Sequence, residues 1–316
     1  MSTRIDRRTL LSASFALPFA VGQSSGSGRR ESCEPVRFVR LTCGRRLAYA
    51  EYGDPRGTTT LIYNHGLPSC RLEAETYLDA LRGFPGVRLI AIDRPGIGRS
   101  DDNEALNFLT WPADVAAIAD ALGIDRFGLV GTSGGTAYTL AIARALPTRV
   151  TAVSLVEPLA PFPVLEAAGG ASVDAARLAV RRPRLVGIGL NTKARRTGRG
   201  HDPLPDSYLA PADHAVLDSP GGREFVARVV DEALVNGAAG TVRDIARMLT
   251  PWGHWLKDVT PRVTLIHGCA DRMAPPACSR YLAEQLPNVE ARFIPGEGHL
   301  STPRNHAAAV LAAALR

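Results

Sequence analysis

"FGLVGTSGGTAYTLAIA", Phe127 to Ala143, changes pattern in its middle. An apolar β-type run breaks at Gly131-Thr132-Ser133-Gly134-Gly135, and small and apolar residues at helical spacing follow. A flexible loop would account for the glycines alone. A sharp strand-to-helix corner that presents a serine accounts for the glycines and the serine together. In such a corner the residues two before and two after the serine approach neighbouring chain, so they must be small. Gly131 and Gly135 occupy those positions.

Outward from this corner the alternation continues in both directions. Upstream, "TTLIYNHG" is an apolar strand-like run ending at Asn64-His65-Gly66. "SCRLEAETYLDALRGF" has helical spacing at Leu72, Tyr77, Leu78 and Leu81. "VRLIAIDRPG" reads as a strand ending at Asp93, and "WPADVAAIADALGI" as a helix from Pro112 to Gly123. Further upstream, Val36–Thr42 and Arg45–Gly53 read as a hairpin about Cys43-Gly44.

Downstream, "RVTAVSLVEPLAP" is a strand ending near Glu157, and "RVTLIHGCAD" one ending at Gly268. "ACSRYLAEQLPN" is a helix, "VEARFIPGEGH" a last strand and "HAAAVLAAALR" a terminal helix. Continuous apolar strands are buried on both faces, and their alternation with helices predicts an α/β fold. The expected sheet is mostly parallel, flanked by helices, after a short antiparallel start. The alternation fails between about Pro161 and Pro261, where helix-like pieces suggest a helical lid. No internal repeat is visible. The expected organisation is a tail over 1–32, a core over 33–158 and 259–316, and a helical insertion over 159–258.

Ligands bind outside the carboxyl ends of strands in open parallel sheets. Those ends carry His65-Gly66, Asp93, Ser133, Glu157, Asp271 and His299. A serine needs a base to act as a nucleophile. His299, in "PGEGHLS", follows the last strand, and Asp271, in "HGCADRMAP", follows the strand before it. Ser133, Asp271 and His299 therefore form a candidate catalytic triad in a known chain order. The helix start at Gly134 places its amide to help hold an oxyanion. Glu157 is the rival for the acid and His306 for the base. His65 reads as a turn residue with a backbone role, and His201, His214 and His254 as exposed residues of the insertion.

The segments "NHGLPSCR", "IDRPGIGRSD", "LVGTSGGTA", "IHGCADRMAP" and "GEGHLS" resemble those of the α/β-hydrolase superfamily. They span Asn64 to Ser301, nearly all of the chain after the tail. The resemblance implies the α/β-hydrolase fold. It implies that the backbone N–H of Leu67, in the His-Gly-x-Pro motif, joins Gly134 in the oxyanion hole. It also implies that Asp93–Asp101 shapes the site, that the insertion is a variable cap, and that no cofactor or metal is needed. A serine at the elbow departs from haloalkane dehalogenases and epoxide hydrolases, which use aspartate there. "GTSGG" departs from the Gly-Gly-Ser-Trp-Gly of proline iminopeptidases. The expected activity is carboxylic-ester hydrolysis of a small molecule. Carbon–carbon bond hydrolases, cofactor-free haloperoxidases, peptidases and low-turnover ligand-binding relatives are the alternatives.

Bulk properties fit this reading. The 316 residues are 45% hydrophobic and 22% charged, as in a soluble globular chain. The net charge is +6, yet there is no zinc-finger spacing and no aromatic–basic strip, so a nucleic-acid partner is not expected. "GIGRSD" begins like a dinucleotide fingerprint, but Asp101 stands where the third glycine should be. Five cysteines without a CxxC pair (Cys33, Cys43, Cys70, Cys269 and Cys278) read as buried free thiols. Arg7-Arg8 followed by the apolar run Leu10–Val21 resembles a twin-arginine export signal, with a basic tail as the alternative. That run is too short for a stable span of ~20 residues. Seven Arg or Lys lie between Arg181 and Arg199. They read as a solvated face, with an acidic substrate or an anionic membrane surface as the alternatives.

Overall fold

Among the residues described by the computed structural model, 36–170, 172–197 and 206–316, eight strands form one sheet. The Arg7-Arg8 segment, Cys33 and His201 lie outside them. In chain order the strands are β1 (Arg37–Arg40), β2 (Arg46–Gly53), β3 (Thr59–Asn64), β4 (Val87–Ile92), β5 (Phe127–Thr132), β6 (Val150–Val156), β7 (Arg262–Gly268) and β8 (Val289–Ile294). Their spatial order is β1-β2-β4-β3-β5-β6-β7-β8. β1 pairs with β2, and β2 with β4, in antiparallel fashion; every later pairing is parallel.

The helices are α1 (Leu78–Leu81), α2 (Trp111–Ala121), α3 (Thr136–Ala145), α4 (Phe162–Ala167), α5 (Ser172–Arg181), α6 (Pro183–Thr197), α7 (Pro211–Asp218), α8 (Gly222–Ala233), α9 (Ala239–Arg247), α10 (Ala277–Gln285), α11 (Ser301–Asn305) and α12 (Ala307–Ala314). None is long and apolar enough to cross a membrane.

The strand side chains show why the apolar runs are continuous. Successive residues point to opposite faces. Ile62, Ile90, Leu129, Val153 and Leu265 enter a core shared with α2 and α3. Their neighbours Leu61, Leu89, Val130 and Ile266 enter a second core closed by α12. Each face is therefore covered, and a polar residue on either one would have to be buried. The strand order reverses direction between β3 and β5, because β4 lies outside β3. This switch point opens a crevice beyond the carboxyl ends of β3 and β5, where Leu67 and Ser133 follow.

Four local expectations need correction. Arg71–Tyr77 is a 3₁₀ helix, with a single α turn after it. Its buried residues are Arg71, Ala74 and Tyr77, every third position, which suits three residues per turn rather than 3.6. α3 starts at Thr136, because Ser133–Gly135 form a 3₁₀ turn first. His306 is not inside the terminal helix but caps the junction of α11 and α12. Of the cysteines, Cys70 and Cys278 are buried free thiols, whereas Cys43 and Cys269 are exposed.

Candidate active site

The corner at Ser133 has the geometry its glycines require. Ser133 has φ +49°, a left-handed conformation that non-glycine residues adopt under constraint. A Cβ on Gly131 would run into the Thr139 side chain. One on Gly135 would run into the Asn64 carbonyl and lie 2.8 Å from that of His65. Thr136 Oγ1 donates to the Ser133 carbonyl at 2.6 Å and ties the corner to α3.

His299 and Asp271 meet at the ends of the last two strands. His299 Nδ1 is 2.7 Å from Asp271 Oδ2. The other Asp271 oxygen accepts the Met273 and Ala274 N–H groups at 2.8 and 3.0 Å. Burial alone would raise the Asp271 pKa. The His299 charge and hydrogen bonds from His267, His299 and Glu157 outweigh it, so the group stays ionised. Burial also works against a charged His299, yet the adjacent Asp271 carboxylate lifts the imidazole above its ordinary value.

Glu157 does not pair with His299. It lies beside Asp271, with Oε1 accepting the Gly268 N–H at 2.8 Å and Oε2 3.1 Å from His267 Nε2. Burial, then the Asp271 charge, push its pKa well above the usual carboxylate range. Burial thus favours the protonated form of Glu157, which can share its proton with the ionised neighbour. His267 is fully buried, with Nε2 2.6 Å from the Ala274 carbonyl and Nδ1 2.6 Å from Ser279 Oγ. The ligand atoms of Glu157, Asp271 and His299 lie within 4.8 Å of one another.

On the other side of Ser133, Gly66 donates its N–H to Glu73 Oε2 at 2.7 Å, and the Tyr63 hydroxyl donates to the same oxygen at 2.6 Å. The next amide, Leu67 N–H, has no acceptor among the described residues. A Cβ on Gly134 would lie 2.8 Å from Leu67 Cδ1, so the two segments abut. The first amides of a helix lack intrahelical acceptors, which leaves Gly134 with a similar surplus.

His65 serves the backbone. Its Nδ1 meets the Gly66 carbonyl at 2.9 Å, and Nε2 accepts the Arg94 N–H at 3.3 Å. Burial, then the Arg94 charge, hold its pKa well below that of a free histidine. His254 is exposed and His214 half-buried; neither reaches the site.

Three buried or half-buried carboxylates from the insertion grip the site, and sequence reasoning missed all of them. Asp213 on α7 accepts the Leu300 and Ser301 N–H groups, each at 2.9 Å, and that of His299 at 3.2 Å. It satisfies the free amides at the start of α11 and fixes the loop that carries His299. Glu232 on α8 holds Arg71 at 2.7 Å, and Arg71 in turn holds Asp93 at 2.6 Å. Asp244 on α9 pairs with the fully buried Arg94 at 2.8 Å and accepts the Tyr138 hydroxyl. Arg94 then donates to the His65 and Gly66 carbonyls at 2.6 and 3.0 Å, just before Leu67.

This last link makes a stability prediction. Asp244→Leu leaves the Arg94 guanidinium charged and unpaired in the interior. The expected loss is about 3–5 kcal/mol, read as a lower denaturant midpoint at unchanged slope. Adding Arg94→Met should recover much of it, since a buried pair replaced whole by apolar groups is often neutral. A double variant no more stable than the single one would contradict this account.

Ser133, His299 and Leu67 line one cavity of about 320 Å³. Val186, Leu190 and Ile245 of the insertion form part of its wall, Glu73 is a charged group within it, and Arg304 is an exposed one at its edge.

The profile of a family described as "Alpha/beta hydrolase family" matches residues 61–314. A 2-hydroxymuconate semialdehyde hydrolase of Pseudomonas putida is 26% identical over 265 residues, covering 82% of this chain and 86% of that one. A proline iminopeptidase of Xylella fastidiosa is 34% identical, but over 116 residues, 35% of either chain. Among solved structures, a thermophilic esterase from Thermogutta terrifontis aligns with a TM-score of 0.66 at 20% identity. That alignment covers 88% of this chain and 96% of the other, and is a likeness of fold.

Proposed function

The chain belongs to the alpha/beta hydrolase family, and from that membership we propose that it is a serine hydrolase acting on a small carboxylic ester. Ser133 Oγ attacks the ester carbonyl carbon while His299 Nε2 takes its proton. Asp271 holds the imidazole by Nδ1 and stabilises its charged form. The Leu67 and Gly134 amides receive the oxyanion. Collapse of the tetrahedral species expels the alcohol, which His299 protonates, and leaves an acyl group on Ser133. Water deprotonated by His299 then releases the acid. The helices between 159 and 258 act as a cap that excludes water and shapes the acyl site.

The observation that carries this reading is the 2.7 Å His299–Asp271 pair, set on the same largely apolar cavity as Ser133 and the free Leu67 amide. A second reading, carbon–carbon bond hydrolysis, draws on the likeness to the Pseudomonas putida enzyme over most of both chains.

A graded series of p-nitrophenyl esters tests the proposal. Each methylene buried in the cavity is worth about 0.8 kcal/mol, or about fourfold in kcat/KM. Efficiency should rise from the acetate over several carbons, then fall once the acyl chain outgrows about 320 Å³. Absence of turnover across the series, with cleavage of a vinylogous diketone acid instead, would favour the second reading.

A further inference from the structure

The outer side of α5 and α6 has a composition that the core does not explain. Leu178, Val180, Leu185 and Ile188 are exposed by 46, 54, 59 and 63%. Arg181, Arg182 and Arg184 are exposed among them, and none has an ion-pair partner among the described residues. Neighbouring positions on the same helices point inward. Ala176 and Ala179 pack against Val242 and Ile245, while Val186 and Leu190 face the cavity. α6 is therefore apolar towards both the cavity and solvent.

The charge is as unevenly placed. From Ala175 to Gly200 the sequence holds eight Arg or Lys and no Asp or Glu. The whole chain carries +6, so everything outside this segment is net negative by two. A merely solvated face would not need large aliphatic side chains between its arginines. A nucleic acid would use the arginines and leave the aliphatic groups in water. Interleaved Arg and Leu or Ile on one face is the composition of helices that lie in a membrane interface, with guanidinium groups at lipid phosphates and aliphatic groups below them.

We propose that α5 and α6 form a docking face for an anionic lipid surface, and that the ester substrates of Ser133 are drawn from that surface. The docking stands by itself. The substrate source rests on the serine-hydrolase reading. Docking would bring the lipid within reach of α6, whose inner residues Val186 and Leu190 wall the cavity, so a lipophilic ester would have a short apolar path to Ser133.

Co-sedimentation of the full chain with vesicles tests the docking. Binding is expected to phosphatidylcholine vesicles containing phosphatidylglycerol, and not to phosphatidylcholine alone. It should weaken as salt is raised. The triple variant R181E/R182E/R184E should bind at least about a hundredfold more weakly, given about 1 kcal/mol for each basic residue near an anionic surface. L185S/I188S should bind about tenfold or more weakly to the same vesicles. Both variants should hydrolyse a soluble short-chain ester as the wild type does, which shows that they are folded. Both should lose hydrolysis of an ester dissolved in the anionic vesicles. Equal binding to neutral vesicles, binding untouched by charge reversal, or capture by duplex DNA without vesicle binding would each overturn the docking. Vesicle binding by a wild type that turns over no soluble ester would leave the docking standing and remove the hydrolase reading.

Discussion

Ser133→Ala is expected to abolish labelling by a fluorophosphonate probe and to lower kcat for a p-nitrophenyl ester by on the order of 10⁶-fold. The probe forms its bond to the nucleophile oxygen, so losing that single atom removes the reaction and not merely its efficiency. Members of a triad act as a unit, so the residual rate would reflect only binding and the oxyanion amides. The unfolding midpoint should barely move. The corner is held by Gly131 against Thr139, by Gly135 against the Asn64 and His65 carbonyls, and by Thr136 on the Ser133 carbonyl. None of these contacts uses Oγ. A variant that keeps its fold and still hydrolyses the ester at the wild-type rate would place the nucleophile elsewhere.

Legibility in the sequence followed distance along the chain. The elbow lies within five residues, Gly131 to Gly135, and its steric rule is local, so it could be read directly. The strands were legible because burial on both faces leaves no polar alternation to confuse. His299 and Asp271 could be placed because each follows a readable strand. The carboxylates that brace the site could not. Asp213 acts 86 positions from His299, Asp244 150 positions from Arg94, and Glu232 161 positions from Arg71. Asp244 stands between Arg243 and Arg247, and nothing in that local pattern marks it as buried, yet it is. Arg94 sits in the "IDRPG" segment, which reads as a loop, while its side chain holds the His65 and Gly66 carbonyls just before Leu67. The Arg71–Tyr77 segment is legible as helical but not as a 3₁₀ helix, since a period of three is easily taken for 3.6 over seven residues.

Two carboxylates side by side also permit a sharp test of which one serves His299. Asp271→Asn should lower kcat by about 10⁴-fold, because an amide no longer stabilises the imidazolium and favours the wrong tautomer. Glu157→Gln should cost no more than about tenfold. Burial favours the neutral form of Glu157, and glutamine keeps its shape, an acceptor for the Gly268 N–H and a donor towards Asp271. The pH profile separates the two as well. His299 must be neutral to act as base, so kcat/KM falls as pH drops through its pKa. In the wild type Asp271 raises that pKa above the ordinary histidine value, so the acid limb should lie above about 6.5. With Asp271→Asn the largest raising influence is gone and burial is opposed only by the more distant Asp213 and Glu73 charges, so the limb of the residual activity should shift to lower pH. Glu157→Gln should leave the limb near its wild-type position, because the charge beside His299 is unchanged. If Glu157→Gln instead proved the more damaging change and moved the limb downward, the orienting charge would reside on Glu157, and Asp271 would be the neutral partner of the pair.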